Sequence, residues 1–387
     1  MKDNFWGYLR PNDKVGVRNH IAIIPSVSCA AATASKIAYQ VASACAIMNN
    51  TGCDEIDIDL NQTRRTLIGF GKNPNVAAIL VVGLGCEVLS PVSLAEEIEK
   101  EGKPVECLII QEEGGTVRTV QKGVTIAQQM ATEASRINKR SFDPSHLIVG
   151  TQCGGSDATS GLAANPALGV ASDILVGHGA VSILAETPEW IGAEHWLTRH
   201  AMTKEVADRI NSVVTRYEKR LKAFGEDFIG KQPSPGNMEG GLSTIEEKSL
   251  GCVAKGGNST IRGVLEYGAQ PRGKGLFVMD TPGNDIESNT ALIAAGCQIL
   301  CFTTGRGTPV GAPITPVIKI TGNPFTYEKM KNDIDFNAGT IVQQKESIQD
   351  VAGRIFAEIL EVASGKLTKA EILGHHEFSI NRIGPSY

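Results

Sequence analysis

The sequence predicts an α/β protein of two domains, with Rossmann-like parallel or mixed sheets flanked by helices. Three observations lead there. Short apolar runs alternate with helical stretches along the whole chain, which is the pattern of strands buried on both faces. Each run ends in a glycine-containing turn, and 42 of the 387 residues are glycine, well above the roughly 7% of average usage. Apolar residues make up 42% and charged residues 20% of the chain, a globular composition long enough for more than one core.

The elements follow in chain order. Residues 21–27 (IAIIPSV) form the first run and lead past Cys29 into a helical stretch rich in alanine. Residues 77–82 run into Gly83-Leu84-Gly85-Cys86-Glu87, and residues 147–149 into Gly150-Thr151-Gln152-Cys153-Gly154-Gly155. Residues 181–184 precede Ala185-Glu186-Thr187-Pro188-Glu189, residues 276–279 precede Asp280-Thr281-Pro282-Gly283, and residues 298–302 precede Thr303-Thr304-Gly305-Arg306-Gly307. Between them, Ile210, Val213, Tyr217, Leu221 and Phe224 step by three and four before Gly225, which predicts an amphipathic helix from about Val206. Val351, Ile355, Ile359 and Ala363 predict another from about Ser347, closed at Gly365. The polar stretch 133–144 interrupts the apolar rhythm, dividing the chain into an N-terminal α/β domain, 1–140, and a C-terminal catalytic domain, 141–387.

Composition also excludes some functions. With 37 Lys+Arg against 42 Asp+Glu the net charge is −5, which argues against a nucleic-acid surface. No run approaches the ~20 apolar residues of a membrane span, and the N-terminus lacks the apolar core of a signal peptide, so a cytoplasmic protein is expected. Nine cysteines, an odd number without a CxxC pair, read as thiols or metal ligands rather than a disulfide framework. Cys297 and Cys301, in an apolar run, read as buried thiols.

In open α/β sheets ligands bind at the carboxyl ends of the strands, and those loops hold the chain's chemistry. Gly154 and Gly155 let backbone approach an anion closely, with Ser156 or Asp157 capping the next helix; a plain tight turn with an N-cap is equally consistent. Glu186, Glu189 and Glu194 with His195 form a set suited to a divalent metal or to acid–base work, although Glu189 and Glu194 also suit the first turn of a helix. Residues 233–257 are a Gly/Pro-rich loop or linker that interleaves Glu246, Glu247, Lys248 and Cys252 with apolar Ile245 and Leu250, an expensive mixture unless buried and paired. Lys248 among carboxylates suits acid–base chemistry or carboxylate binding, and Arg306 between two glycines suits an anion clamp or an exposed turn.

Taken together, Gly7-Tyr8-Leu9-Arg10, Val15-Gly16-Val17-Arg18-Asn19-His20, Gly83-Leu84-Gly85-Cys86-Glu87, Cys153-Gly154-Gly155-Ser156-Asp157, Glu186-Thr187-Pro188-Glu189, Gly192-Ala193-Glu194-His195, Pro235-Gly236-Asn237, Glu246-Glu247-Lys248-Ser249-Leu250-Gly251-Cys252, Met279-Asp280-Thr281-Pro282-Gly283 and Phe302-Thr303-Thr304-Gly305-Arg306-Gly307 resemble the altronate/galactarate dehydratase family, which includes sulfolactate sulfo-lyase large subunits. The resemblance implies a lyase dependent on ferrous iron (Fe2+), Mn2+ or another divalent metal and acting on a small hydroxy acid, for instance dehydrating altronate to a 2-keto-3-deoxy acid. Release of sulfite and pyruvate from sulfolactate is the alternative within the enzymes; a non-catalytic scaffold subunit is the alternative outside them. It further implies a separate small SAF-domain subunit, since the chain starts at the point where that domain ends in single-chain relatives, and an oligomeric assembly. On residue type and motif position, Cys86, Cys153 and Cys252 are expected to ligate metal; Glu186, His195 and Lys248 to be catalytic; and Ser156, Asp157, Asn237 and Arg306 to bind substrate. One departure stands out: Asn49 replaces a histidine expected three residues before Gly52-Cys53.

Overall fold

The computed structural model describes residues 3–226 and 228–387. Its strands are β1 (Phe5–Leu9), β2 (Val15–Gly16), β3 (His20–Pro25), β4 (Ala44–Ala46), β5 (Val76–Gly83), β6 (Val105–Ile109), β7 (Arg140–Phe142), β8 (Ile148–Cys153), β9 (Val181–Leu184), β10 (Ile261–Leu265), β11 (Gly275–Met279), β12 (Ile299–Thr303), β13 (Val317–Thr321) and β14 (Phe336–Asn337). Beside a small antiparallel sheet, β2-β1-β7, they build two main sheets, a four-stranded one in the order β4-β3-β5-β6 and a seven-stranded one in the order β10-β11-β9-β8-β12-β13-β14. Every pairing in these two main sheets is parallel, as expected from runs apolar throughout. The central strands β5, β11, β12 and β13 are buried at every residue.

The two amphipathic helices form where the periodicity places them, at Lys204–Ala223 and Ile348–Ala363. The second starts on a reciprocal cap between Ser347 and Asp350, which satisfies otherwise unpaired N–H groups of its first turn. The first helix differs from its sequence pattern. It ends at Ala38, and the alanine-rich tail that reads as helix instead supplies β4, because Ala44, Cys45 and Ala46 find β3 beside them and tertiary pairing overrides weak propensity. The polar stretch 133–144 is likewise not free linker: it holds the end of the helix Thr116–Ser135 and then β7, which pairs antiparallel with β1.

The two sheets share a core. Ile24, Val81, Leu67 and Phe70 belong to one apolar cluster with Ile183, Leu292 and Leu300. Arg18 bolts the N-terminal segment to the end of the chain. Its guanidinium donates to the carbonyls of Val17, Val362 and Lys366 and pairs with both Glu371 oxygens at 2.6 and 2.9 Å. Burial works against the Glu371 charge, but Arg18 and the capping contacts of Thr368 hold its carboxyl below the usual range. Its stabilising contribution is therefore present above the ordinary carboxylate value and lost as pH falls through the lowered one. Glu371→Gln is expected to cost about 3 kcal/mol at pH 7 and to flatten the acid limb of a urea-stability profile measured between pH 7 and pH 3.

Candidate active site

Four segments converge beyond the carboxyl ends of β8 and β9. Cys153 is the last residue of β8. Glu186 follows β9 in a left-handed conformation, φ 76° and ψ 69°, which costs a non-glycine residue on the order of 1–3 kcal/mol and clusters at functional sites. Tertiary contacts impose it: the Glu186 N–H donates to Thr281 Oγ1 at 2.8 Å, and the Thr187 N–H to the Thr281 carbonyl at 3.0 Å. The turn Thr187–Trp190 then directs Glu189 inward, with Trp190 fully buried behind it. Lys248 and Cys252 lie four apart on the helix Ile245–Val253, hence on one face, and Lys255 stands in the turn Ala254–Gly256.

These side chains touch. Cys153 Sγ lies 2.8 Å from Glu189 Oε2 and 3.5 Å from Cys252 Sγ. The Lys255 ammonium donates to Cys153 Sγ at 2.6 Å and to Glu186 Oε2 at 2.7 Å, and stands 3.7 Å from Glu189. The Cys153 N–H donates to the same Glu186 oxygen at 3.0 Å. Lys248 pairs with Glu189 Oε1 at 3.1 Å. Glu186 and Lys255 are 0% exposed, so these contacts act with little water to screen them. Glu186 Oε1 is buried and accepts no hydrogen bond.

The electrostatics separate the two carboxylates. Burial, then the charge of Glu189, pushes Glu186 up to about 8 against the pull of Lys255. Burial also acts on Glu189, but Lys248 and Lys255 outweigh it and bring that carboxyl down to about 2. Burial disfavours the Lys255 ammonium, yet Cys153, Glu186, Cys252 and Glu189 around it hold its pKa well above the ordinary value. Burial and contact with Cys252 raise the Cys153 thiol. Asp285, whose carboxylate lies over Gly154, is pushed up to about 6 by burial and by Glu189. Carboxyls held near neutrality beside one that stays ionised are the division of labour acid–base chemistry uses.

Among the described residues, Cys153, Glu189 and Cys252 are the group whose ligand atoms all lie within 4.8 Å of one another. Two thiols and a carboxylate are donors for a thiophilic divalent metal rather than Mg²⁺ or Ca²⁺. With the unpartnered Glu186 oxygen nearby, the donor set fits the metal that the sequence resemblance implies, and ligation would require both thiols to release their protons.

Glycine places this cluster. A Cβ on Gly169 would lie 2.0 Å from the Ala254 carbonyl oxygen, and one on Gly257, at φ +73°, would lie 2.4 Å from the Gly169 carbonyl oxygen. The helix Asn165–Gly177 thus presses backbone to backbone on the turn that carries Lys255. Asn165 ties the same helix to the Gly251 carbonyl at 2.9 Å. Gly169→Ala is expected to cost about 1–3 kcal/mol by overpacking and to lower activity through displacement of Lys255, measured by urea unfolding and by kcat.

Lys248 and Cys252 also line a cavity of about 300 Å³ with Ser156, Asp157, Ser160 and Asn165. The structure gathers the sequence-identified loops around it. Asn237 Nδ2 donates to the Ser156 carbonyl at 2.9 Å, and the Arg306 guanidinium donates to the Gly236 carbonyl at 2.8 Å and to Glu239 at 3.0 Å. Asp157 caps the following turn through the Ser160 N–H and accepts from Asn323 at 3.0 Å, with Gly240 and Gly305 packed against it. Cys153, Glu186, Lys248 and Cys252 therefore come together in one buried group, Ser156 and Asp157 lie in the adjoining wall, and Asn237 and Arg306 stand outside that wall, Asn237 holding the Ser156 backbone and Arg306 the Gly236 backbone. His195 and Cys86 lie elsewhere. His195 is exposed on the helix Glu194–Arg199, because Gly192, at φ +86°, separates that helix from the turn bearing Glu189. Cys86 is exposed on the loop after β5 of the other sheet. Lys255 and Asp285 carry no motif of their own in the sequence; the one signal for Lys255 is the Gly256-Gly257 that follows it.

Comparison with known proteins gives this geometry a family. Residues 144–386 match the model described as D-galactarate/Altronate dehydratase, C-terminal, and residues 7–135 match D-galactarate dehydratase/Altronate hydrolase, second domain. The chain belongs to the D-galactarate/altronate dehydratase family. It is an enzyme of the lyase class, as its family relatives are named. A (2R)-sulfolactate sulfo-lyase subunit beta from Chromohalobacter salexigens is 36% identical over 381 residues, covering 98% of this chain and 97% of that protein. Altronate dehydratases of Bacillus subtilis and Escherichia coli are 35% and 33% identical over 98% and 97% of this chain, and 78% and 77% of their own lengths. Among the described residues, no helix is long and apolar enough to cross a membrane.

Proposed function

We propose that this dehydratase-family chain is the large component of a metal-dependent hydro-lyase that converts a sugar acid such as altronate to a 2-keto-3-deoxy acid. The contact of Glu186, Glu189, Cys153 and Cys252 with two lysines beneath a pocket carries the proposal. Eliminating water from a 2,3-dihydroxy acid needs a base for the proton beside the carboxylate, a cation for the resulting enediolate and an acid for the departing hydroxyl. Glu186, with its free buried oxygen, takes the first part, and His195, exposed on its own helix away from the cluster, takes none. Lys248, at the border of cavity and cluster, holds the substrate carboxylate. Ser156 and Asp157 form the wall against which the hydroxyls lie, and Asn237 and Arg306 hold the loops behind it. Cys153, Cys252 and Glu189 would hold a divalent metal such as iron, which supplies Lewis acidity toward charge that develops on substrate oxygens.

A second substrate reading has its own support. The sulfo-lyase subunit matches over nearly its whole length, whereas the altronate dehydratases extend beyond the match. The sulfo-lyase relative is named a subunit beta, so sulfolactate, which would lose sulfite in place of water, and a small partner chain belong in the same test. Anaerobic assays with ferrous iron and an SAF-type partner chain decide between the substrates: a 2-keto-3-deoxy acid from an aldonate supports the first, and sulfite with pyruvate the second. Turnover of neither class overturns both. Lys248→Met is expected to raise KM about 10- to 100-fold with a smaller change in kcat, the worth of a charged hydrogen bond; an unchanged KM removes Lys248 from carboxylate binding.

A further inference from the structure

The four-stranded sheet carries a second group of thiols, on a different sheet from the buried cluster. Its strands β4, β3 and β5 are adjacent and parallel, so the segments that leave them emerge on one edge. Each segment bears a cysteine there: Cys29 after β3, Cys53 after β4 and Cys86 after β5. The backbones beside these cysteines interlock. The Ser28 N–H donates to the Thr51 carbonyl at 2.9 Å and the Leu89 N–H to the Gly52 carbonyl at 3.2 Å. Gly52, at φ +105°, sits so close that a Cβ would lie 2.1 Å from the Ser26 carbonyl oxygen. Ser26 Oγ in turn donates to Glu87 at 2.6 Å, and Glu87 also accepts the N–H groups of Leu84 and Gly85 at 3.0 and 2.6 Å. Cys29, Cys53 and Cys86 are each next in sequence to one of these contacts.

Packing does not account for them. Cys29 and Cys86 are exposed and Cys53 is half-buried, whereas Cys153, Cys252, Cys297 and Cys301 are buried, as free cysteine usually is. The neighbouring Met48 and Val88 are 43% and 53% exposed, an apolar fringe around the thiols. Asn49 is 0% exposed and spends its side chain on the Pro25, Ser26 and Thr51 backbone, so it braces the Cys53 segment and offers no ligand atom. The three sulfurs do not all lie within 4.8 Å of one another. One tetrahedral ion with metal–sulfur bonds of about 2.3 Å needs its sulfurs about 3.8 Å apart, whereas a polynuclear group takes thiolates set wider than that. Thiolates on such a group are the ligands of iron–sulfur clusters.

We propose that Cys29, Cys53 and Cys86 hold a [4Fe–4S] cluster through three thiolates, each thiol losing its proton on ligation, with the fourth iron left without a cysteine. The site is separate from Cys153, Glu189 and Cys252 and does not depend on what those residues do. The test is full-length chain purified without oxygen and reconstituted with equal ferrous and ferric iron and sulfide, so that the mixed-valence cluster assembles without a further oxidant. Acid-labile sulfide and a broad visible absorption band are expected. Cys29→Ser, Cys53→Ser and Cys86→Ser should each lose both signals, while Cys252→Ser and Cys107→Ser keep them. Far-UV circular dichroism and urea midpoints establish folding, with alanine at the same position for any serine variant that fails. Reconstituted chain without labile sulfide, binding of metal without sulfide, retention of the cluster in the three single variants, or its equal loss in Cys252→Ser would each overturn the assignment.

Discussion

Replacing Lys255 with methionine is expected to lower stability by about 3–5 kcal/mol and activity by at least about 100-fold. The first figure is the cost of breaking a buried ion pair from one side; the second is the lower end of what a positioned proton-transfer group contributes. Lys255 is the cation that touches both Cys153 and Glu186, at 2.6 and 2.7 Å. Without it two buried acidic groups face each other and Glu189 with only Lys248 left to balance them. Glu186 limits the damage by taking a proton. Its carboxyl is already raised to about 8 by burial and Glu189, and losing Lys255 raises it further. An acid whose folded pKa lies above its unfolded value costs stability as pH rises between the two values. The penalty of Lys255→Met should therefore be smaller at pH 6 than at pH 9. Urea unfolding at both pH values, with kcat/KM at neutral pH, checks this; a pH-independent penalty, or activity within twofold of the parent, removes Lys255 from the centre of the site.

The difference between Lys248 and Lys255 shows what sequence makes legible here. Lys248 announces itself because charged residues interleaved with Ile245 and Leu250 on a helix must be paired if buried, and it pairs with Glu189. Lys255 stands outside that helix, and its role depends on the Gly169 and Gly257 backbones meeting, a contact between residues remote in sequence. Strand runs such as 276–279 and 298–302 are legible to within a residue of β11 and β12 because parallel strands buried on both faces are apolar without interruption. β4 is hidden, since Ala44 and Ala46 favour a helix in isolation. Glu189 and His195 read as neighbours at the start of one helix, yet Gly192 breaks the chain between them and sends one inward and the other to solvent. Cys86, Cys153 and Cys252 share a residue type, but Cys86 follows a strand of one sheet, Cys153 ends a strand of the other and Cys252 sits on a helix, and spacing along the chain carries no information about that.

Cys252→Ser is the substitution that separates a metal site from a hydrogen-bonded thiol pair. If Cys153, Glu189 and Cys252 hold a divalent ion, serine at 252 removes a soft donor, lowers metal content in anaerobically purified protein and reduces activity by more than the 10- to 100-fold typical of changes to groups behind the ligands. If the sulfurs only pack 3.5 Å apart, serine is nearly isosteric, leaves metal content unchanged and costs about 1 kcal/mol at most. A pH measurement sharpens the contrast. Both thiols lie above their ordinary values, with burial the main cause at Cys153, and both must be deprotonated to ligate. Metal retention in the parent should accordingly weaken as pH falls, each step releasing metal as protons return to sulfur, and the Cys252→Ser protein should retain less metal at every pH. Equal metal content in the two proteins across that range would leave Lys255 and Lys248 as the cations of the cluster and place any metal of this dehydratase-family enzyme elsewhere in the chain.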